Sequence, residues 1–171
     1  MANFTLHSPR LHLPVVASSD AAFLHQCFTD PFVRKYLWDD TIIERSLTHD
    51  IIEQNAVQFD KERCGLWKVV HAMDRVTMGI VGLWYFFEEA QPQLIYALFE
   101  RFCGQGFATE AAKRIVQYAF DELEFAYLDA ACDAPHLNSQ KVAERLGMDK
   151  RLETEVEGKA TVFFRLNRSS V

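Results

Sequence analysis

No apolar run in this chain is long enough to cross a bilayer as a helix. The longest apolar-leaning stretch, Val76 to Phe87, contains Thr77 and two glycines and falls short of the roughly 20 residues a span requires. No two of the four cysteines, Cys27, Cys64, Cys103 and Cys132, stand in Cys-x-x-Cys spacing. That removes the case for a zinc site or a disulfide framework and leaves reduced, mostly buried thiols as the expectation. Positive charge is short as well. Eighteen Lys and Arg against 24 Asp and Glu give a net charge of −6, the wrong sign for broad electrostatic binding to nucleic acid and the right one for a cationic partner such as an amine. The opening MANFTLHSPR lacks the basic-then-apolar order of a signal peptide, so a cytoplasmic protein without membrane attachment is expected. Repeats, low-complexity tracts and linkers are missing too. A chain of 171 residues, 49% hydrophobic and 13% aromatic, then reads as a single domain over residues 1–171 with a sizeable core.

What is present is a succession of short elements. Arg10 to Leu13 alternates as a first strand, and Ser18-Ser19-Asp20 supplies N-cap chemistry for a helix carrying Phe23, Leu24 and Phe28. Asp30-Pro31 restarts the chain, with Pro31 at the first position of a second short helix. From Thr41 to Arg63, Ile42, Ile43, Leu47, Ile51, Ile52, Val57 and Phe59 predict one or two helices, ended by Gly65. Leu66 to His71 and Val76 to Phe86 read as strands joined by a tight turn at Asp74 and Arg75. Ala126 to Cys132 reads as a further strand, broken by Pro135. Asn138 or Ser139 can then cap a helix that Gly147 stops, and Arg151 to Val156 with Lys159 to Leu166 close the chain as a hairpin. The order predicts an α+β layer fold.

The most informative stretch is Gln93 to Glu124. An apolar strand, Leu94 to Phe99, passes through Arg101-Phe102-Cys103-Gly104-Gln105-Gly106 into a helix whose Ala108, Ala112, Ile115, Val116, Ala119, Phe120 and Leu123 share one face. A strand-to-helix turn with two glycines offers unpaired N–H groups, the positive end of a helix dipole and room for a bulky anion. On spacing alone the turn is either a phosphate cradle or a plain connection. A P-loop would need Gly-Lys-Ser/Thr, but Phe107-Ala108 follows Gly106; the dinucleotide fingerprint would need a glycine where Thr109 stands.

Arg101-x-x-Gly104-x-Gly106-Phe107-Ala108-Thr109-Glu110-Ala111 resembles the acetyl-CoA pyrophosphate loop of the GNAT superfamily of N-acetyltransferases. GQGFATEAA is similar to the Rim-type branch, the ribosomal-protein alanine and serine acetyltransferases. Pro135 to Met148 resembles that branch's N-x-x-S-x-x-V-x-x-x-L-G-F/M segment, and Arg10 to Leu13 with DPFVRKYL resembles its opening strand and helix. The resemblance implies the GNAT fold, a mixed, mostly antiparallel, splayed sheet with helices on both faces. It also implies acetyl-CoA as co-substrate and direct attack of a primary amine on the thioester. Such chemistry needs a neutral amine, a donor to the oxyanion and a proton for the thiolate.

By the same resemblance, N–H groups near Leu98 and Phe99 serve the oxyanion and the pantetheine arm. The amides of Phe102, Cys103, Gly104, Gln105, Gly106, Phe107, Ala108 and Thr109, with Arg101, hold the pyrophosphate. Ser139 is the catalytic candidate, placed to protonate the thiolate; a serine before a helix can equally be an N-cap. The family's asparagine position holds His136, and Asn138 follows; either can reach the cofactor's amide-rich arm, or His136 is a plain loop histidine. Gln93 stands where a glutamate is usual, which leaves the base open among Glu88, Glu89, His71, Asp133, His136 and water. Cys103 replaces a common tryptophan and makes acyl transfer through a thiol conceivable. The acceptor is expected to be a protein N-terminus or a small-molecule amine, the protein a monomer or homodimer, and the competing reading a GNAT-fold protein that binds acyl-CoA without turnover.

Overall fold

The computed structural model describes residues 4–86 and 89–170. Among the described residues eight strands form two antiparallel sheets. Five of them, β1 (Thr5–His7), β2 (Leu11–Pro14), β3 (Leu66–His71), β4 (Thr77–Trp84) and β5 (Gln93–Leu98), pair in chain order. The other three, β6 (Tyr127–Asp133), β7 (Asp149–Val156) and β8 (Lys159–Asn167), pair in the order β6-β8-β7. Strand β5 packs beside β6, yet the two belong to different sheets, so the expected splay takes the form of two half-sheets with a gap between them.

Helices cover both faces of the larger sheet. On one side α1 (Ala21–Thr29), α2 (Pro31–Leu37) and α3 (Arg45–Glu62) bury Leu24, Phe28, Val33 and Ile52 against Ile80 and Phe99. On the other, α4 (Phe107–Asp121) buries Ala111, Ala112, Ile115 and Ala119 with Trp67, Val81 and Leu83. The spacing of those α4 residues puts them on one stripe, as their period predicts. A fifth helix, α5 (Leu137–Arg145), adds Val142 and Ala143 to the same core. Among the described residues no helix is long and apolar enough to cross a membrane.

Three local expectations change. Strand β1 adds to the edge ahead of Arg10, its three residues paired with His12, Leu13 and Pro14. The region from Thr41 to Arg63 holds one helix, α3, which starts only at Arg45 and ends at Glu62 with Arg63 in the left-handed conformation (φ 58°), its N–H bonded to the Phe59 carbonyl. Gly65 serves packing instead: a Cβ there would lie 2.4 Å from Asn55 Oδ1. The buried face of α3 is also partly polar, carrying Thr48, Asn55 and Gln58, whereas Ile42, Leu47 and Val57 point to solvent. Asn55 explains this. It is fully buried, accepts from the Leu66 N–H (2.7 Å) and donates to the Val16 carbonyl (3.0 Å), so it replaces backbone partners that neither segment finds elsewhere.

Candidate active site

The α4 N-terminus has the backbone geometry that an anion site requires. Gly104 and Gly106 adopt φ of 76° and 82°, a left-handed backbone that favours glycine. The first helical N–H to find a backbone acceptor is that of Glu110, bonded to the Gly106 carbonyl (3.0 Å). Among the described residues the amides from Gly104 to Thr109 have no acceptor, as expected for a turn and the first positions of a helix. Phe102 and Cys103, expected in the same cradle, donate instead to the Phe99 and Glu100 carbonyls.

A cation missed from the sequence stands beside the turn. Arg10 pairs through Nε with Glu110 (2.6 Å), donates to the Gln105 carbonyl (3.2 Å) and lies over the Phe107 ring (4.4 Å). Arg101 instead rests over Phe99 and Phe102 and is exposed. Burial pushes the Glu110 carboxyl up, but hydrogen bonds from Ser8, the Arg10 amide and the Arg10 guanidinium outweigh it and hold the carboxyl below its ordinary value. A depressed carboxylate stabilises the fold above its unfolded pKa and loses that contribution as pH falls through its folded pKa. Glu110→Gln is therefore expected to be less stable than wild type at neutral pH, with the gap closing as acid denaturation is approached; urea midpoints measured over that pH range check it.

Strand β5 supplies the next part. Phe99 donates to the Met78 carbonyl (3.0 Å), and the register pairs Ala97 with Ile80 and Ile95 with Gly82. In an antiparallel pair the bonds alternate, so the N–H and C=O groups of Leu94, Tyr96 and Leu98 face the gap toward β6. Leu98 is thus open to a ligand. Phe99 is not, because its N–H is committed to β4.

The gap widens into a cleft of about 650 Å³ between β5, the α4 turn, β6, α5, α2 and the β7–β8 hairpin. Of the sequence candidates, Leu98, Phe102, Cys103, Gly104, Gly106, Phe107, Ala108 and Thr109 line it, as do His136, Asn138 and Ser139. Among the described residues, Phe99, Arg101 and Gln105 do not. The Cys103 thiol is pushed up by burial and by Glu100, the opposite of what a nucleophile needs.

Ser139 sits at the third position of α5, not at its cap, which falls on His136. Its hydroxyl donates to the Tyr96 oxygen (3.2 Å), while the Tyr96 hydroxyl donates to the Ser139 carbonyl (2.9 Å). Burial raises the Tyr96 phenol to about 12, so it stays protonated. Tyr96 went unmarked because strand parity, which decides whether it faces the gap, depends on register with β4. The His136 ring stacks on Tyr36 of α2, centroids 3.9 Å apart and planes within 4°.

Gln93 is buried and donates its side-chain amide to Glu89, which also accepts from the Phe86 N–H (3.1 Å). Glu88 lies outside the described residues. His71 lies against Phe107 and Asp74, away from the cleft lining, whereas Asp133 lines it and is raised by burial.

Residues 10–149 match the family model described as an acetyltransferase (GNAT) domain. An uncharacterized N-acetyltransferase, p20, from Bacillus licheniformis is 27% identical over 148 residues, covering 85% of this chain and 83% of its own. In structure the chain is similar to an acetyltransferase from Agrobacterium tumefaciens (TM-score 0.83, 20% identity, 98% and 96% of the two chains). It is also similar to a ribosomal L7/L12 alpha-N-protein acetyltransferase solved in complex with coenzyme A (TM-score 0.80, 14% identity, 96% and 98%).

Proposed function

As this chain belongs to the acetyltransferase (GNAT) family, whose co-substrate is acetyl-CoA, we propose that it acetylates a primary amine by direct attack on the thioester. The observation that carries this reading is the continuity of one cleft from the unpaired amides at Gly104 to Thr109, past the open edge of Leu98, to the Ser139 hydroxyl. The cradle amides and the α4 dipole fit a pyrophosphate, with Arg10 alongside as a further positive charge. Leu98 N–H donates to the thioester oxygen as negative charge develops on it. Ser139 gives its proton to the leaving sulfur, and the phenol of Tyr96, held against both its hydroxyl and its carbonyl, fixes its position.

The acceptor class follows from basicity. An α-amino group, with a reference pKa of about 7.7–8.0, is partly neutral at pH 7, whereas a lysine near 10.4 needs a stronger base than Gln93 can be. A protein N-terminus or a small molecule with a similarly weak amine is the acceptor that fits. Release of free CoA measured over alanine- and serine-initiated peptides, polyamines and aminoglycosides tests the reaction. Tight acetyl-CoA binding with no acceptor-dependent release from any of them would leave a binding protein and refute the transfer.

Gly104→Val tests the cradle separately. A Cβ at Gly104 meets no protein atom within 4 Å, so the change acts through the backbone, which a β-branched residue disfavours at φ 76°. Acetyl-CoA affinity in calorimetry is expected to fall about tenfold, the equivalent of about 1.4 kcal/mol and within the range for a left-handed residue. Unchanged affinity would move the pyrophosphate elsewhere.

A further inference from the structure

We infer that His136 is the group that takes the proton from the acceptor's ammonium. The inference rests on the proposed transfer and supplies the base that Gln93 cannot be. Its ground is position. His136 closes the turn into α5 one helical turn before Ser139, so its ring lies on the same wall of the cleft as the proposed acid. The ring stacks face to face on Tyr36 of α2, which lines the same cleft. That stack covers one face of the ring and fixes its plane, so the nitrogens, at the ring edge, are not what Tyr36 meets. Neither nitrogen has a hydrogen-bond partner among the described residues.

The surroundings favour the uncharged ring. Burial, then Lys35 of α2, holds His136 below the ordinary imidazole value. The other charged groups lining the cleft are Asp133 from β6, Lys141 and Arg145 from α5, Glu157 and Lys159 from the hairpin, and Asp39 after α2. Asp39 is paired with Lys159. Asp133 is the competing base, but an imidazole holds an ammonium's proton more firmly than a carboxylate does. Glu89 is occupied by Gln93 and the Phe86 amide.

The proton count closes. One proton passes from the ammonium to a ring nitrogen and then to solvent. The freed lone pair forms the C–N bond as the C–S bond breaks, and the second proton lost by nitrogen makes good the one the thiolate takes from Ser139. Net, ammonium and thioester give amide, thiol and one proton.

The test uses the full chain and an alanine-initiated peptide, with wild type assayed first. If wild type releases no CoA with this peptide or any other amine of the panel, the transfer itself fails and this role with it. With turnover in hand, His136→Asn is expected to lower kcat about 100-fold, the low end for a lost general base, with acetyl-CoA affinity unchanged by calorimetry. The acid limb of the wild-type kcat profile, below the ordinary imidazole pKa, is expected to vanish in the variant, and added imidazole to restore part of the rate. Two peptides with amines of different pKa separate the amine's ionisation, which moves, from the ring's, which does not. Retention of the acid limb in His136→Asn, or a loss confined to acetyl-CoA affinity, would overturn the assignment; loss of the limb in Asp133→Asn with His136 intact would transfer it to Asp133.

Discussion

Asn55→Ala is expected to lower the unfolding free energy by about 3 kcal/mol, more than any surface substitution would. The side chain is fully buried, and both its bonds go to backbone groups of other segments, the Leu66 N–H and the Val16 carbonyl. Alanine leaves both groups without partners in the core, at about 1–3 kcal/mol each, and adds a small cavity. For a chain of this size that amounts to a fall in melting temperature of roughly 6–12 °C. Thermal unfolding and urea midpoints report it directly, and a loss under about 1 kcal/mol would mean that water or a shifted backbone takes over both bonds. Because Val16 and Leu66 lead into α1 and β3, the same change is expected to loosen the wall formed by α2.

Ser139→Ala is expected to reduce kcat about 100-fold with little change in KM, the pattern of an interaction made only in the transition state. The sequence offers capping as a rival, and the structure removes it, since the cap falls on His136. The side chain lies inside the first turn of α5, its hydroxyl bonded to Tyr96 and not to a free N–H of the helix. Loss of a cap would lower stability by about 1 kcal/mol; here the melting temperature is expected to hold while kcat falls. Tyr96→Phe removes the phenol that positions the serine and is expected to give a smaller drop. If the two hydroxyls act as a unit, the double variant is no slower than Ser139→Ala. Additive losses would make them independent, and a rise in KM alone would make Ser139 a binding residue.

Much of the fold was readable because its signals are local. The stripe on α4, the Asp30-Pro31 start of α2, where Asp30 accepts from the Phe32 and Val33 amides, and the glycines at 104 and 106 each depend on neighbours within a turn. The errors arose where distant partners decide. Thr5 to His7 is too short to show a period and is a strand only because β2 lies beside it. Asn55 and Gln58 interrupt an apolar pattern because they face backbone groups of other segments, so the buried face of α3 does not look apolar. Arg10 and Glu110 meet across about a hundred residues. Tyr96 and Phe99 lie three apart in one apolar run, and only the register with β4 turns the first toward the gap and binds the second.

The separation of β5 from β6 also bears on where ligand affinity originates. A sheet that continued across this boundary would satisfy the Leu94, Tyr96 and Leu98 backbone groups during folding. Left open, each contributes the net gain of about 0.5–1.5 kcal/mol only when something other than water meets it. The fold is therefore less stable than its strand count would permit, by hydrogen bonds that an extended amide-bearing molecule can complete. A pantetheine arm laid along β5 would act as the absent strand, so binding would finish the sheet.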